Sequence, residues 1–372
     1  MAIRKNVNSL TTAEKAELVA AIKSVKASGK YNQYVLRHAQ APHTRIHRGP
    51  AFLPWHRQFL IEYEKDLQQA AGNPNLGLPY WDWAEDSALP NPGTGAVWAN
   101  DLMGGDGDPT EAGAVKNGPF RQGQWVIVNG SGAAAGALRR TFGVEVATLA
   151  TPADVDDSLN TVPYDASPWS TASSPSFRNR LEGWYGAAGP GMHNRGHVWV
   201  GGSMLPMTSP NDPVFFLHHC FVDKLWADWQ ARHPNEQYWP QNGGPVGHNL
   251  SDLMEATVSG QVRIADVLNH RMLGYSYDDE APPARTLDFD VEFYVANNPD
   301  LRAGFGTNYA AAIDHWLTQG LPNEGRRGSG EFDVQRYLAF YADLMAAFGK
   351  NYTAAIDHWI NTGQAEGRAG VP

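Results

Sequence analysis

The sequence predicts a mainly α protein: a four-helix bundle with long loops, followed by a small helical C-terminal repeat domain. Three observations carry this. Helix-start signals and three-to-four-residue apolar spacing recur through the first two thirds of the chain. Six histidines fall on or beside the segments so marked, and near the C-terminus the chain repeats itself.

The elements follow in order. Thr11-Thr-Ala-Glu14 is a capping box, in which the Thr11 hydroxyl and the Glu14 carboxylate each serve a backbone N–H that a helix start leaves bare. It opens a helix with apolar positions at Leu18, Ile22 and Val25, and Gly29 breaks the pattern. A second helix runs from Tyr31 to about His38. Pro54 suits the first turn of a third, from Trp55 to about Ala71, which carries His56. Residues 72–135 are rich in Gly, Pro, Asn and Asp and read mostly as loops, with Trp125-Val-Ile-Val128 a candidate short strand. His193 to Trp199 has the spacing of one helix face. Asn211-Asp-Pro213 reads as a capped start for a last helix through His218, His219, Leu225 and Trp229. Four helices thus carry or border five of the six histidines, and His47 falls on an intervening loop.

A charged, proline-bearing linker at Asp278-Asp-Glu-Ala-Pro-Pro-Ala-Arg285 divides the chain into domains at 1–280 and 286–372. The second holds two copies of a unit at a 43-residue offset: Phe289-Asp290 returns as Phe332-Asp333, Tyr294 as Tyr337, and Ile313-Asp-His-Trp316 as Ile356-Asp-His-Trp359. The register slips by one before Glu324 and Glu366. Each copy reads as short helices joined by Gly and Asn turns, and the two are expected to pack on each other or on the main domain.

Composition sets limits. A formal net charge of −10, without a Lys/Arg run able to track a phosphate backbone, argues against nucleic acid as a partner. A single cysteine, Cys220, excludes an internal disulfide. No stretch approaches the roughly 20 apolar residues of a membrane span, and the first residues lack a signal-peptide core. The expectation is a cytoplasmic protein, with export on a partner or after removal of a signal as the alternative.

Chemistry concentrates in the histidines. His38, His47 and His56 are spaced nine and nine; His193 and His197 are spaced four, so they share a helix face, and His219 follows inside Asp212-Pro-Val-Phe-Phe-Leu-His-His-Cys220. Neutral imidazole suits Cu, Zn, Fe or Ni. Paired zinc or iron sites normally recruit bridging carboxylates, and neither set contains one. Three imidazoles per ion, with open positions between the ions, suit a copper pair that cycles between cuprous and cupric and binds dioxygen. The remaining histidines read as ordinary: His233, His248 and His270 as hydrogen-bonded residues, His315 and His358 as structural within each repeat, and His43 as a loop residue, with a role as an alternative ligand the second reading.

The surrounding residues are more specific. Phe52-Leu-Pro-Trp-His56-Arg, Leu78-Pro-Tyr-Trp-Asp-Trp83, Leu181-Glu-Gly-Trp184, Met192-His-Asn-Arg-Gly-His-Val-Trp-Val-Gly-Gly202 and Ser209-Pro-Asn-Asp-Pro-Val-Phe-Phe-Leu-His-His resemble the signatures of the tyrosinase family of type 3 copper proteins, closest to the compact bacterial (Streptomyces-type) members. The likeness covers roughly residues 3–275 in the expected order and leaves the repeats outside. It implies a dicopper centre, with one copper on His38, His47 and His56 and the other on His193, His197 and His219. Family spacing favours His219 over His218 as ligand. It also implies that Glu182 and Asn194 hold a water that takes the proton of the incoming phenol, because a phenol with pKa near 10 must ionise before it binds a cupric ion.

Departures from the pattern matter as well. The loop from Glu182 to His193 is about three residues longer than usual, which puts the place of Glu182 in question. Arg45 stands where fungal and plant relatives carry the cysteine of a cysteine–histidine thioether, so that link cannot form. Cys220 reads as a small buried thiol, and Asp82 and Asp212 as acceptors for imidazole N–H groups or as helix caps. Val198 and the compact Gly201-Gly-Ser-Met204 point to an open approach to the second copper.

The function so implied is that of a tyrosinase: ortho-hydroxylation of monophenols and oxidation of o-diphenols to o-quinones, with phenolic small molecules and O2 as partners. The alternatives are a catechol oxidase or o-aminophenol oxidase without the hydroxylation step, and a haemocyanin-like oxygen carrier. Residues 286–372 are a candidate lid over the site.

Overall fold

A computed structural model describes residues 2–184, 189–280, 288–306 and 308–371. The chain divides into two compact units, Met1–Asp278 and Asp279–Pro372. Most of the expected linker, and the tip of the loop after Glu182, lie outside the described residues.

The first unit is built on helices. Helix α1, Thr12–Ala27, starts at the expected capping box, with Thr11 and Glu14 reciprocally bonded, and buries Leu18, Ala21, Ile22 and Val25. Gly29 takes φ +83°, a left-handed conformation that ends α1 and lets α2, Lys30–Gln40, begin at once. The loop expected around His47 contains one helical turn, α3, His43–Ile46, with His47 as its C-cap. Helix α4, Phe52–Ala71, begins three residues earlier than the sequence predicts. Pro54 is still in its first turn, where a missing N–H costs nothing. Two short helices follow, α5, Trp83–Asp86, and α6, Pro152–Leu159, capped by Asp82 and Thr151. Then come α7, Phe177–Glu182, α8, Met192–Val200, and α9, Val214–Arg232, whose first N–H is taken by the Asp212 carboxylate at 3.1 Å.

Sheet is scarce. Strand β1, Ala2–Arg4, pairs in parallel with β6, Tyr275–Tyr277, a link between the two ends of this unit that no local pattern announces. Two small antiparallel ribbons decorate the long loops: β2, Gly107–Asp108, with β3, Ala114–Val115, and β4, Val126–Val128, with β5, Ala134–Ala137. The expected strand near Trp125 is β4.

What fixes the bundle is aromatic packing. Tyr31 and Tyr34 of α2, Phe59 and Tyr63 of α4 and Phe216 of α9 meet in one buried layer, with Tyr63 stacked on Phe216 at 3.6 Å. Each such ring contributes roughly 1.5–3 kcal/mol by burial, so removing one costs more than a typical surface substitution. A buried ionic cluster locks the termini to this core. Arg4 of β1 bonds Glu64 of α4 at 3.0 Å and Asp223 of α9 at 3.1 Å; Arg57 bonds Asp223 at 2.6 Å; and the hydroxyls of Tyr275 and Tyr277 donate to Asp223 at 2.5 and 2.6 Å. Burial alone would raise the Asp223 pKa, and the two guanidiniums and two hydroxyls hold it below the usual carboxylate range instead.

The second unit consists of two like halves. The first has α10, Val291–Asn297, α11, Pro299–Phe305, and α12, Tyr309–His315; the second has α13, Val334–Phe340, α14, Ala342–Phe348, and α15, Tyr352–His358. The repeated residues carry repeated contacts. Asp290 and Asp333 cap α10 and α13, Phe289 stacks on Trp316 as Phe332 does on Trp359, and the Tyr294–His315 hydrogen bond of 2.9 Å returns as Tyr337–His358 at 3.0 Å. His315 and His358 are therefore structural, as their recurrence implies. Each half closes on itself through Asp290 N–H to Gly328 O and Asp333 N–H to Gly370 O, both 3.0 Å. The halves meet where Gln335 donates to the Glu324 carbonyl and the Tyr352 ring lies against Gly325. Among the described residues of the chain, no helix is long and apolar enough to cross a membrane.

Candidate metal centre

Two buried histidine groups face each other inside the bundle: His38, His47 and His56, and His193, His197, His218 and His219, the ligand atoms within each lying inside 4.8 Å of one another. Helix α2 presents His38, the end of α3 His47, α4 His56, α8 His193 and His197, and α9 the last pair. The groups touch through His56 and His219, whose rings stack at 4.3 Å and 13°.

The hydrogen bonds define what these rings can do. His38 Nδ1 meets the Met207 carbonyl at 2.7 Å, His56 Nδ1 that of Phe52 at 2.8 Å, and His197 Nδ1 that of Met204 at 2.8 Å; His193 Nδ1 meets the carbonyl of Glu182 at 3.3 Å and Asn194 Oδ1 at 3.2 Å. A carbonyl only accepts, so each of these Nδ1 atoms carries the proton and each Nε2 is a bare lone pair. His38 Nε2 and His56 Nε2 are buried with no partner. His219 Nε2 lies 3.3 Å from His193 Nε2 and 3.2 Å from His197 Nε2. The spacing is that of donors around one ion about 2 Å from each. A cation there would take the bare lone pairs of His193 and His197 together with the Nε2 of His219. Burial holds the rings neutral, as ligands must be: His38 is pushed down to about 3, His197 to about 4, and His47, His56, His193 and His219 well below the ordinary value.

His47 and His219 are held differently. Neither Nδ1 has an acceptor, and the rings are positioned by stacking, His43 on His47 at 4.8 Å and Phe215 beside His219 at 4.2 Å. His43, read from the sequence as a plain loop residue, thus braces a ligand candidate. His218 shares the second group with His193, His197 and His219. Its ring stacks on His193 at 5.1 Å and lies so close to Gly196 that a Cβ there would sit 2.6 Å from it.

The acidic candidates are placed unequally. Glu182, at the end of α7, is 1% exposed; its carboxylate accepts from Arg178 Nη1 at 3.0 Å and from the Arg48 backbone N–H at 2.5 Å. Burial raises its pKa, with Arg178 and the Arg48 N–H pulling the other way. The base of the long loop is pinned by Gly191 N–H to the Gly183 carbonyl at 3.1 Å, so the lengthened segment leaves α7 and α8 adjacent. Asn194 lines the cavity above the histidines. Asp82 and Asp212 do not orient imidazoles: Asp82 caps α5, and Asp212 pairs with Arg140 through two bonds of 2.8 Å besides capping α9. Backbone carbonyls take that role because each helix turn or loop bend beside a histidine already exposes one. No side-chain pattern could have revealed them; Arg178, four residues before Glu182 on one helix, could have been read from spacing. Cys220 is a buried thiol donating to the Leu78 carbonyl, its pKa pushed up by burial.

The centre opens to solvent through a cavity of about 820 Å³, lined by His38, His47, His193 and His197 at its floor and by Val198, Met204, Met207 and Trp184 among its walls. That size admits a substituted aromatic ring.

Residues 28–232 match the family model described as the common central domain of tyrosinase. The chain is 43% identical over 290 residues to a tyrosinase of Streptomyces glaucescens, covering 75% of this chain and all of that one. It is 37% identical over 272 residues to grixazone synthase of Streptomyces griseus, covering 64% and 87%. Its fold is similar to a polyphenol oxidase of Thermothelomyces thermophila, with TM-score 0.55, 22% identity, and 72% and 86% of the two chains covered. With more than half of its length matched by the family model and all of a tyrosinase spanned at 43% identity, the chain belongs to the tyrosinase family, whose cofactor is a pair of copper ions.

Proposed function

We propose that the protein is a tyrosinase that uses O2 to hydroxylate monophenols at the ortho carbon and to oxidise o-diphenols to o-quinones. The observation that carries this is the convergence of bare imidazole Nε2 atoms in two facing groups, without a carboxylate among them. His38, His47 and His56 would hold one copper and His193, His197 and His219 the other. When bound, the copper pair would supply the dioxygen site and relay electrons from the phenol to O2.

The chain's own residues do the rest. The cavity would take a phenol ring with its oxygen toward the imidazole floor, against the apolar walls of Val198, Met204 and Met207. The carbonyls of Met207, Phe52 and Met204 fix the ring planes of His38, His56 and His197 before any ligand arrives. Asn194 and Glu182 would share a water that accepts the phenol proton. Burial of the carboxylate supports this reading, because it raises the pKa and brings a base nearer the working pH, with Arg178 pulling the other way.

The test is copper analysis with oxygen uptake. Two coppers per chain are expected, with turnover of both 4-ethylphenol and its catechol. Glu182→Gln is expected to lower monophenol turnover about 10²–10⁴-fold, the span of a general base, and to leave catechol oxidation within a few-fold. Catechol turnover without any phenol turnover in the unaltered protein would instead make it a catechol oxidase.

A further inference from the structure

Among the described residues that line the copper cavity, only two are charged in the ordinary sense, Arg48 and Glu145. Both are exposed, and neither side chain takes part in an ion pair or a side-chain hydrogen bond among the described residues. Arg48 directly follows His47. It adopts φ +60°, a strained conformation for a residue with a side chain, and its N–H is held by Glu182 at 2.5 Å. The guanidinium is braced by the Trp184 ring, 5.1 Å from its centre. Glu145 comes from a different wall. Its loop is anchored to α8 by Gly143 N–H to the Trp199 carbonyl at 2.9 Å and by Arg195 Nε to the Thr148 carbonyl at 2.7 Å. One unpaired cation therefore stands on the side of the first histidine group and one unpaired anion on the side of the second.

A phenol that puts its oxygen on the imidazole floor directs its para substituent toward this rim. The other described lining side chains, Asn194 and Ser209 among them, are neutral, so a charged tail meets its charged neighbours in these two residues.

We propose that Arg48 and Glu145 are specificity residues for the para substituent of the phenol, Arg48 holding a carboxylate and Glu145 an ammonium. A tail that carries both groups engages both, and a tail with one charge meets one attractive and one repulsive neighbour. This rests on the phenol-oxidase reading above. Arg48 is the stronger of the two, because its strained, hydrogen-bonded backbone and the Trp184 ring hold it in place before the ligand arrives, whereas Glu145 must be ordered on binding.

The experiment uses the full copper-loaded chain with 3-(4-hydroxyphenyl)propionate, tyramine and uncharged 4-ethylphenol, run beside the corresponding catechols. The readout is the kcat/KM of each charged substrate relative to 4-ethylphenol within the same variant, which removes any general loss. Arg48→Gln is expected to lower the propionate ratio about tenfold, mostly through KM, and not to lower the tyramine ratio. Glu145→Gln is expected to lower the tyramine ratio about threefold and not the propionate ratio. Arg48→Lys recovers part of the propionate ratio, and salt near 0.5 M flattens both ratios in the unaltered protein. Ratios that stay constant, or that fall together in both variants, overturn the proposal while the phenol-oxidase reading stands. Absence of turnover with every phenol and catechol overturns both.

Discussion

Acidifying the copper-free protein from about pH 7.5 to about pH 5.5 should cost it most of its stability, and the structure sets the size of the loss. The histidines of the centre are buried, His197 only in part, and burial depresses their pKa values: His38 to about 3, His197 to about 4, and His47, His56, His193, His218 and His219 in the same direction. In the unfolded chain each titrates near 6.5. Across this window the unfolded chain takes up a proton per ring that the native site refuses. Stability present above pH 6.5 is therefore lost as the pH falls, at roughly 1–2 kcal/mol per ring. His38 and His197 alone account for about 3 kcal/mol, and seven rings set an upper limit of about 10 kcal/mol, the same order as the total stability of a typical domain. Asp86, raised by burial to about 6, opposes this by gaining a proton in the native state, and returns under about 1 kcal/mol. Copper occupies the lone pairs that protons would take, so the loaded protein should lose much less. Urea titrations of both forms at the two pH values measure this directly. A copper-free midpoint that does not move, or equal shifts in the two forms, would refute the reasoning.

Two further outcomes concern the second unit. If residues 286–372 act as a lid, a chain ending near residue 285 should show a KM for catechols lowered about tenfold, the effect of removing a cover closed nine-tenths of the time. Unchanged steady-state kinetics would defeat the idea. Gly320→Ala would place a Cβ 1.9 Å from the Tyr294 hydroxyl, which bonds His315, so it should cost the repeat unit about 1–3 kcal/mol. Calorimetry should show the loss in one transition while copper content stays at its original level.

Much of this was open to sequence reasoning because the signals are local. The Thr11–Glu14 capping box starts α1 where it should, since both partners lie within one turn. The spacing of His193 and His197 works because one helix face carries both. The duplicated Phe, Asp, Tyr and His residues of the second unit make duplicated contacts, because each half closes on itself. Pro54 set the start three residues late, since a helix tolerates proline anywhere in its first turn.

The sequence by itself determined the ligand inventory, two sets of imidazoles without carboxylates, and the helices that carry them. Tertiary structure decided how those imidazoles are oriented and what stands around them. The acceptor for His38 is a backbone carbonyl at Met207, 169 residues away, and a carbonyl is present at every position in any sequence, so no residue type marks it. Asp82 and Asp212 looked suited to that task and were taken by other partners, because a carboxylate goes to the nearest unsatisfied cation or helix start. The same holds for the cavity rim. Arg48 and Glu145 are unremarkable in sequence, and only the folding of two distant loops around α8 sets their charges over one cavity.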